Sequence, residues 1–273
     1  MLSAIEWTVS PIITKIGSFE LRWYGLLFAS GFLIGYKIME HIYKTEGKRQ
    51  EDLDTLLFVM IISTVLGARM GHYFFYEYPL LLESPGKFFW DMLIPPYQGL
   101  ASHGATIGIL LALYIYGRRH PDQSPLWVTD RIVITVALAG CFIRLGNLMN
   151  HEIVGKATDA PWGFVFKQNF EFSQVPRHPA QLYEAISCLI LCIILFLIWN
   201  KYKAKTPHGL LLGIFLIWIF SLRFVYEFFK ENQEEFENAM TYNMGQILSI
   251  PAVILGVVIL IYSFGKGKKA VEV

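Results

Sequence analysis

Seven stretches of this 273-residue chain are apolar for close to the length of a membrane-crossing helix: Leu21–Ile38, Leu53–Tyr76, Gly99–Gly117, Ile132–Met149, Leu182–Asn200, Leu210–Phe229 and Met244–Phe264. A hydrocarbon layer about 30 Å thick takes roughly 20 helical residues to cross. The expectation is an all-α polytopic membrane protein with about seven transmembrane helices, a single integral membrane domain over residues 1–273. Composition agrees, since 54% hydrophobic and 16% charged residues with a mean hydropathy of +0.44 lie outside the soluble norm. No room remains for a soluble domain.

The cations cluster in alternate connections: Lys44, Lys48 and Arg49; Arg118 and Arg119; Lys201, Lys203 and Lys205; Lys266, Lys268 and Lys269. The positive-inside rule makes these cytoplasmic and puts the N-terminus outside, the C-terminus inside, and a short extracytoplasmic segment over 150–178. The other external loops carry Glu83, Lys87 and Asp91, then Lys156, Lys167 and Arg177, then the acidic stretch Glu231–Glu237. Met1–Phe19 lacks a basic start and a continuous apolar core, so no cleavable signal peptide is expected. Cys141, Cys188 and Cys192 all fall inside spans, where they read as small packing residues.

Against this apolar background the arginines stand out. Arg69, Arg144 and Arg223 lie in the second, fourth and sixth spans, all running from inside to outside. At 1.5 Å per residue each falls roughly 20–24 Å from the cytoplasmic side, in the outer half of the layer. An intramembrane guanidinium is costly and reads as a functional group facing protein or a wet cavity. Each is followed at helical spacing by polar residues along one face: Arg69 by His72, Tyr73 and Tyr76; Arg144 by Asn147, Asn150 and His151; Arg223 by Tyr226, Glu227 and Lys230. Gly146 beside Arg144 permits close approach of a ligand or helix. His103 enters at the same level through Gln98-Gly-Leu-Ala-Ser102-His103-Gly104, and Tyr24, Gln181, Tyr183 and Glu184 complete a ring. Arg22 and Arg69 also admit a structural reading, by snorkelling or by pairing with Glu184 or Glu77.

Two or three arginines at that depth match the oxygens of a phosphate, and lipid phosphate is the abundant anion there. The ring therefore reads as a phospholipid headgroup pocket with acyl chains between helices. The sequence has no paired intramembrane aspartates, no Gly-x-Ser-x-Gly elbow, no phosphate loop ending in Lys-Ser/Thr and no His-Glu-x-x-His helix. A transporter of anionic lipids or organophosphates is the alternative; it would show internal repeats with helices broken near the midplane, and none is evident. A purely structural scaffold would not need intramembrane cations.

The motifs, in order, resemble the prolipoprotein diacylglyceryl transferase family over nearly the whole chain. They are Arg22-Trp-Tyr24-Gly25-Leu26; Gly67-Ala-Arg69-Met-Gly71 with Phe75-Tyr76-Glu77-Tyr78-Pro79; and Gly99-Leu-Ala-Ser-His103-Gly104. Then follow Arg144-Leu-Gly146-Asn147-Leu-Met-Asn150-His-Glu152 with Gly155; Pro176-Arg177-His178-Pro179-Ala-Gln181-Leu-Tyr183-Glu184; Arg223-Phe-Val-Tyr-Glu227; and Asn243-Met-Gly245-Gln246. The resemblance implies a bacterial inner-membrane enzyme that moves the diacylglyceryl group of phosphatidylglycerol to the lipobox cysteine of a preprolipoprotein, releasing glycerol 1-phosphate. Its partners would be phosphatidylglycerol, preprolipoprotein signal peptides and membrane lipids, with no cofactor, metal or nucleic acid. On that reading Arg144 and Arg223 clamp the phosphate, and His103 is the base toward the incoming thiol. Tyr24, Arg69, Asn147 and Asn150 bind the lipid. Gly104, Gly146, Glu152, Gly155, Arg177, Gln181, Tyr183, Glu184 and Glu227 give support. Ile143, His151, Ala105, Ile219 and Lys230 depart from the family pattern, and the segment Gly155–Arg177 is short for it.

Overall fold

The computed structural model of the chain describes residues 4–17, 19–94, 99, 101–172, 174–231 and 240–269. Gln98 and the acidic stretch beyond Glu231 lie outside the described residues. Each expected span coincides with a long helix: α1 (Trp23–Thr45), α2 (Gln50–Tyr76), α5 (Ser102–Arg119), α6 (Pro125–Met149), α7 (Ala180–Tyr202), α8 (Leu210–Tyr226) and α9 (Met244–Lys269). Among the described residues, five candidate membrane spans are long and apolar enough to cross: Gln50–Tyr76, Pro125–Met149, Ala180–Lys205, Leu210–Phe229 and Met244–Gly265. The chain is thus a mostly helical, multi-pass membrane protein. Of the other two, α1 runs past Ile38 through Glu40, His41 and Lys44, and α5 ends on Arg118 and Arg119.

Among the described residues the structure adds two short helices after α2, α3 (Tyr78–Glu83) and α4 (Pro85–Leu93), and four short strands that the apolar runs do not announce. β2 (Ile12–Ile16) and β3 (Phe19–Arg22) form an antiparallel hairpin, and β1 (Ile5–Trp7) pairs in parallel with β4 (Phe164–Phe166), in register Ile5 to Phe164 and Trp7 to Phe166. The chain divides into two compact units, residues 43–129 and residues 1–42 with 130–273.

In the unit 43–129, α2 and α5 meet through glycines. A Cβ on Gly71 would stand 2.6 Å from the Gly104 Cα, so the helices approach to a distance that no side chain allows. α4 folds back on the last turns of α2, where Phe88 is fully buried edge-on to Tyr73 and Phe74 at ring separations of 5.2 and 5.5 Å. Near the other end of α2, the buried Asp52 carboxylate accepts from Gln123 Nε2 at 2.8 Å and from Arg49 Nη2 at 2.7 Å.

In the unit formed by 1–42 and 130–273, the buried Asp130 of α6 caps the start of α8. Its two carboxylate oxygens accept the Gly209 and Leu212 backbone N–H groups, each at 2.8 Å. A carboxylate at a helix N-terminus satisfies otherwise unpaired donors and meets the favourable end of the helix dipole. Above α6, a small core of Leu148, Val154, Phe164 and Phe166 with Trp7, Phe172 and Leu182 gathers the N-terminal strand and the connection between α6 and α7 into a cap. Trp7 Nε1 donates to the Leu148 carbonyl at 3.0 Å, tying that cap to the end of α6.

Candidate active site

Arg144 lies in the last turns of α6, its side chain 25% exposed. Its Nε forms an ion pair with Glu184 Oε2, from the first turns of α7, and its Nη1 donates to Asn147 Oδ1 at 3.2 Å, one helical turn on. Nη2 takes part in neither contact. The fork is thus gripped on one side and left with donors on the other.

The turn after α6 makes the second layer of this grip. His151 and Ile153 both adopt φ of +56°, a left-handed conformation that costs a β-branched residue energy and reverses the chain within a few residues. His151, one of the departures from the family pattern, is buried with Nε2 at 2.8 Å from the Val9 carbonyl. The reversal brings Glu152 back beneath Asn147, whose Nδ2 donates to Glu152 Oε1 at 2.7 Å; Asn150 Nδ2 donates to the same oxygen at 3.4 Å. Gln181 Nε2 holds the Glu152 carbonyl at 2.6 Å. Tyr24 lies against Gly146, where a Cβ would come within 2.7 Å of its ring. Tyr24, Arg144, Gly146, Asn147, Asn150, Glu152, Gln181 and Glu184 are therefore one cluster.

From Glu184 a ladder of charges runs to α8. Its Oε1 faces Lys230 Nζ at 2.5 Å; Lys230 reaches Glu227 Oε1 at 3.3 Å; and the same oxygen lies 3.8 Å from Arg223 Nε. Asn243 Nδ2 donates to the other Glu227 oxygen at 3.0 Å, and the absent side chain of Gly245 leaves room for that carboxylate. Arg144 and Arg223 are thus joined through alternating signs, with Lys230 only 3% exposed at the centre and Arg223 46% exposed at the end. Desolvated charges are tolerable where each has an opposite partner, and this alternation supplies one at every step.

Lys230 and Asn243 were legible as motif positions and were given no role by the sequence. The signal was present in the i, i+3 spacing from Glu227 to Lys230. Glu184 pairs with Arg144 and Lys230, while Arg22 pairs with Glu20 at 2.7 Å.

The remaining expected residues of this unit brace the cap. Arg177 Nη1 donates to the Gly155 carbonyl at 3.1 Å, pairs with Glu231, and lies 4.0 Å over the Phe172 ring. Gly155 is bridged to the Lys230 backbone, and a Cβ there would collide with His178 and the Phe229 carbonyl. Tyr183 accepts a hydrogen bond from Trp162 Nε1 at 2.8 Å.

Arg69, His103 and Gly104 belong to the unit 43–129. His103 is exposed in the first turn of α5, next to the buried Gly104. Arg69 is 2% exposed and donates to the carbonyls of Asp91 at 2.5 Å, Met92 at 3.2 Å and Gly99 at 3.1 Å, with its guanidinium carbon 4.8 Å over the Tyr73 ring.

The family described as prolipoprotein diacylglyceryl transferase matches residues 11–262. The chain belongs to this family. Among relatives named phosphatidylglycerol–prolipoprotein diacylglyceryl transferase, that of Tolumonas auensis is 44% identical over 94% of this chain and 96% of its own. That of Chloroherpeton thalassium is 43% identical over 96% and 95%, and that of Bacteroides fragilis 38% identical over 100% and 99%. The chain is accordingly a transferase of the prolipoprotein diacylglyceryl transferase family.

Proposed function

We propose that this protein transfers the diacylglyceryl group of phosphatidylglycerol to the lipobox cysteine thiol of a preprolipoprotein, releasing glycerol 1-phosphate. The names of its relatives support the reaction class and both substrates. The observation that carries the reading is the grip on Arg144. Glu184 and Asn147 orient the guanidinium while Nη2 remains outside both contacts, which suits capture of a phosphate oxygen.

The thiol sulfur attacks the glyceryl carbon that bears the phosphate ester. A carbon–sulfur bond forms as the carbon–oxygen bond breaks, and the electron pair passes to the phosphate oxygen. Arg144 and Arg223 meet the charge that gathers there, a preorganised electrostatic effect worth about 10²–10³ in rate for a single donor elsewhere. His103 accepts the thiol proton; an unperturbed thiol, with a pKa of about 8.5, is mostly protonated at neutral pH. Tyr24, Asn147 and Asn150 orient the headgroup, and Arg69 serves the lipid site indirectly, by holding α4 of the unit 43–129 in place. Gly104, Gly146 and Gly155 give close approach, Glu152, Gln181, Glu184 and Glu227 fix the arginines, and Arg177 and Tyr183 brace the cap. Seven spans, an external N-terminus, residence in the bacterial inner membrane and a site open to the outer leaflet complete the proposal.

Purified protein given labelled phosphatidylglycerol and a lipobox peptide should yield lipidated peptide and glycerol phosphate in equal amounts. Phospholipid movement across vesicles without either product would sink the reading in favour of a transporter. His103→Gln should abolish most transfer; full turnover in that variant would remove the base from the scheme.

A further inference from the structure

One side of α2 exposes Phe58, Ile62, Leu66 and Met70, the apolar stripe of a candidate membrane span. Past Tyr76 a soluble connection would turn polar, and this one does not. α3 and α4 expose Tyr78, Leu82, Phe89, Trp90 and Leu93, with Trp90 at 66%, as open as Phe58 at 65% within the span. At 100° per residue the inner side of α4 is Phe88 and Met92, both buried, and its only charged residues are Lys87 and Asp91, which share one narrow strip at i, i+4. The rest of its circumference is apolar.

The position of α4 along α2 is fixed independently. Asp91 and Met92 supply last-turn carbonyls of α4, groups that a helix leaves without internal partners, and both accept from the buried Arg69. Arg69 lies seven residues before the end of α2, about 10 Å back along the helix axis. Phe88 lies between Tyr73 and Phe74, and the Ala101 N–H returns to the Ala68 carbonyl at 3.0 Å. α4 therefore runs beside the final turns of the span and does not stand beyond them. A cation at a helix C-terminus is electrostatically favoured and replaces water for its open carbonyls. In hydrocarbon those carbonyls would otherwise have no partner.

We propose that α3 and α4 form an element embedded in the lipid leaflet, with Leu82, Phe89, Trp90 and Leu93 on acyl chains, the Lys87–Asp91 strip toward the headgroups, and Arg69 as the clamp that holds α4 at that depth. The partner is a phospholipid surface, continuous with the lipid face of α2.

A nitroxide attached at Trp90→Cys tests this in protein whose Cys141, Cys188 and Cys192 are replaced by alanine, reconstituted in phosphatidylglycerol–phosphatidylcholine vesicles. Collision with oxygen should exceed collision with a water-soluble nickel chelate several-fold, as for a label at Phe58, whereas a label at the exposed Glu171 should show the reverse. Accessibility at position 90 like that at 171 would overturn the proposal. Adding Arg69→Met should raise nickel accessibility at 90; no change would remove the clamp. Should the cysteine-free protein not fold, native fluorescence decides the question. Vesicles of acyl-brominated lipid should quench wild type more than Trp90→Phe, and equal quenching would sink the idea.

Discussion

Two intramembrane arginines, one in each unit, are held by opposite kinds of partner. Arg144 faces a carboxylate and an amide and keeps part of its fork outside those contacts, while Arg69 is buried against three backbone carbonyls. Carbonyls of a helix end ask for a donor and fix it. A carboxylate on one edge orients a guanidinium while leaving it able to take a second anion. The partner, more than the depth, separates a cation that builds the fold from one that can meet a ligand.

The comparison breaks most readily at the centre of the ladder. Lys230→Met should leave Glu184 and Glu227 buried without their shared cation and cost about 3–5 kcal/mol, the scale for removing one member of a buried charged set; thermal unfolding in detergent reads this, and Lys230→Arg should recover most of it. Next comes Arg144→Lys, which keeps the charge and loses the fork. It should cut kcat about 10²-fold or more, with unfolding temperature little changed, in the transfer assay. Arg69→Lys sharpens the contrast in the other direction. Lysine cannot reach three carbonyls in a planar array, so stability should fall by about 1–3 kcal/mol, as for unsatisfied buried polar groups. An equal loss of kcat and of stability in both variants would erase the distinction.

The smallest effect belongs to a charged pair at the surface. The Lys48 ammonium, 3.0 Å from Asp122, holds that carboxyl below its ordinary value. The sign follows from the lowered folded value: the pair stabilises above the unfolded pKa of about 4, and its contribution is lost as pH falls through the folded value. Asp122→Asn should therefore lower stability by less than about 1 kcal/mol at neutral pH, and the difference from wild type should vanish in acid.

Much of this was legible in the sequence for physical reasons. Apolar runs of span length dictate helices, and Arg144, Asn147 and Glu184 belong to motifs whose order is specific. What the runs conceal is equally physical. β1 and β4 pair across more than 150 residues, and three-residue strands leave no periodicity to read. α4 looks like loop because Pro85 and Gly86 open it, and only tertiary contact through Phe88 and Arg69 reveals why it is helical. Lys230 was visible as an odd residue in a familiar motif. Its place between two glutamates required α7 and the segment after α8 to be brought together.

The bond between Asp130 and the Gly209 N–H also works as a ruler. Arg144 stands fourteen positions beyond Asp130, and Arg223 fourteen beyond Gly209. From one shared knot, each guanidinium is thus carried about 21 Å along its own helix. Inserting a single residue into either arm would shift that arginine by about 1.5 Å and swing it by about 100°. The reach of the two arms is therefore counted in residues from a carboxylate that never meets the substrate.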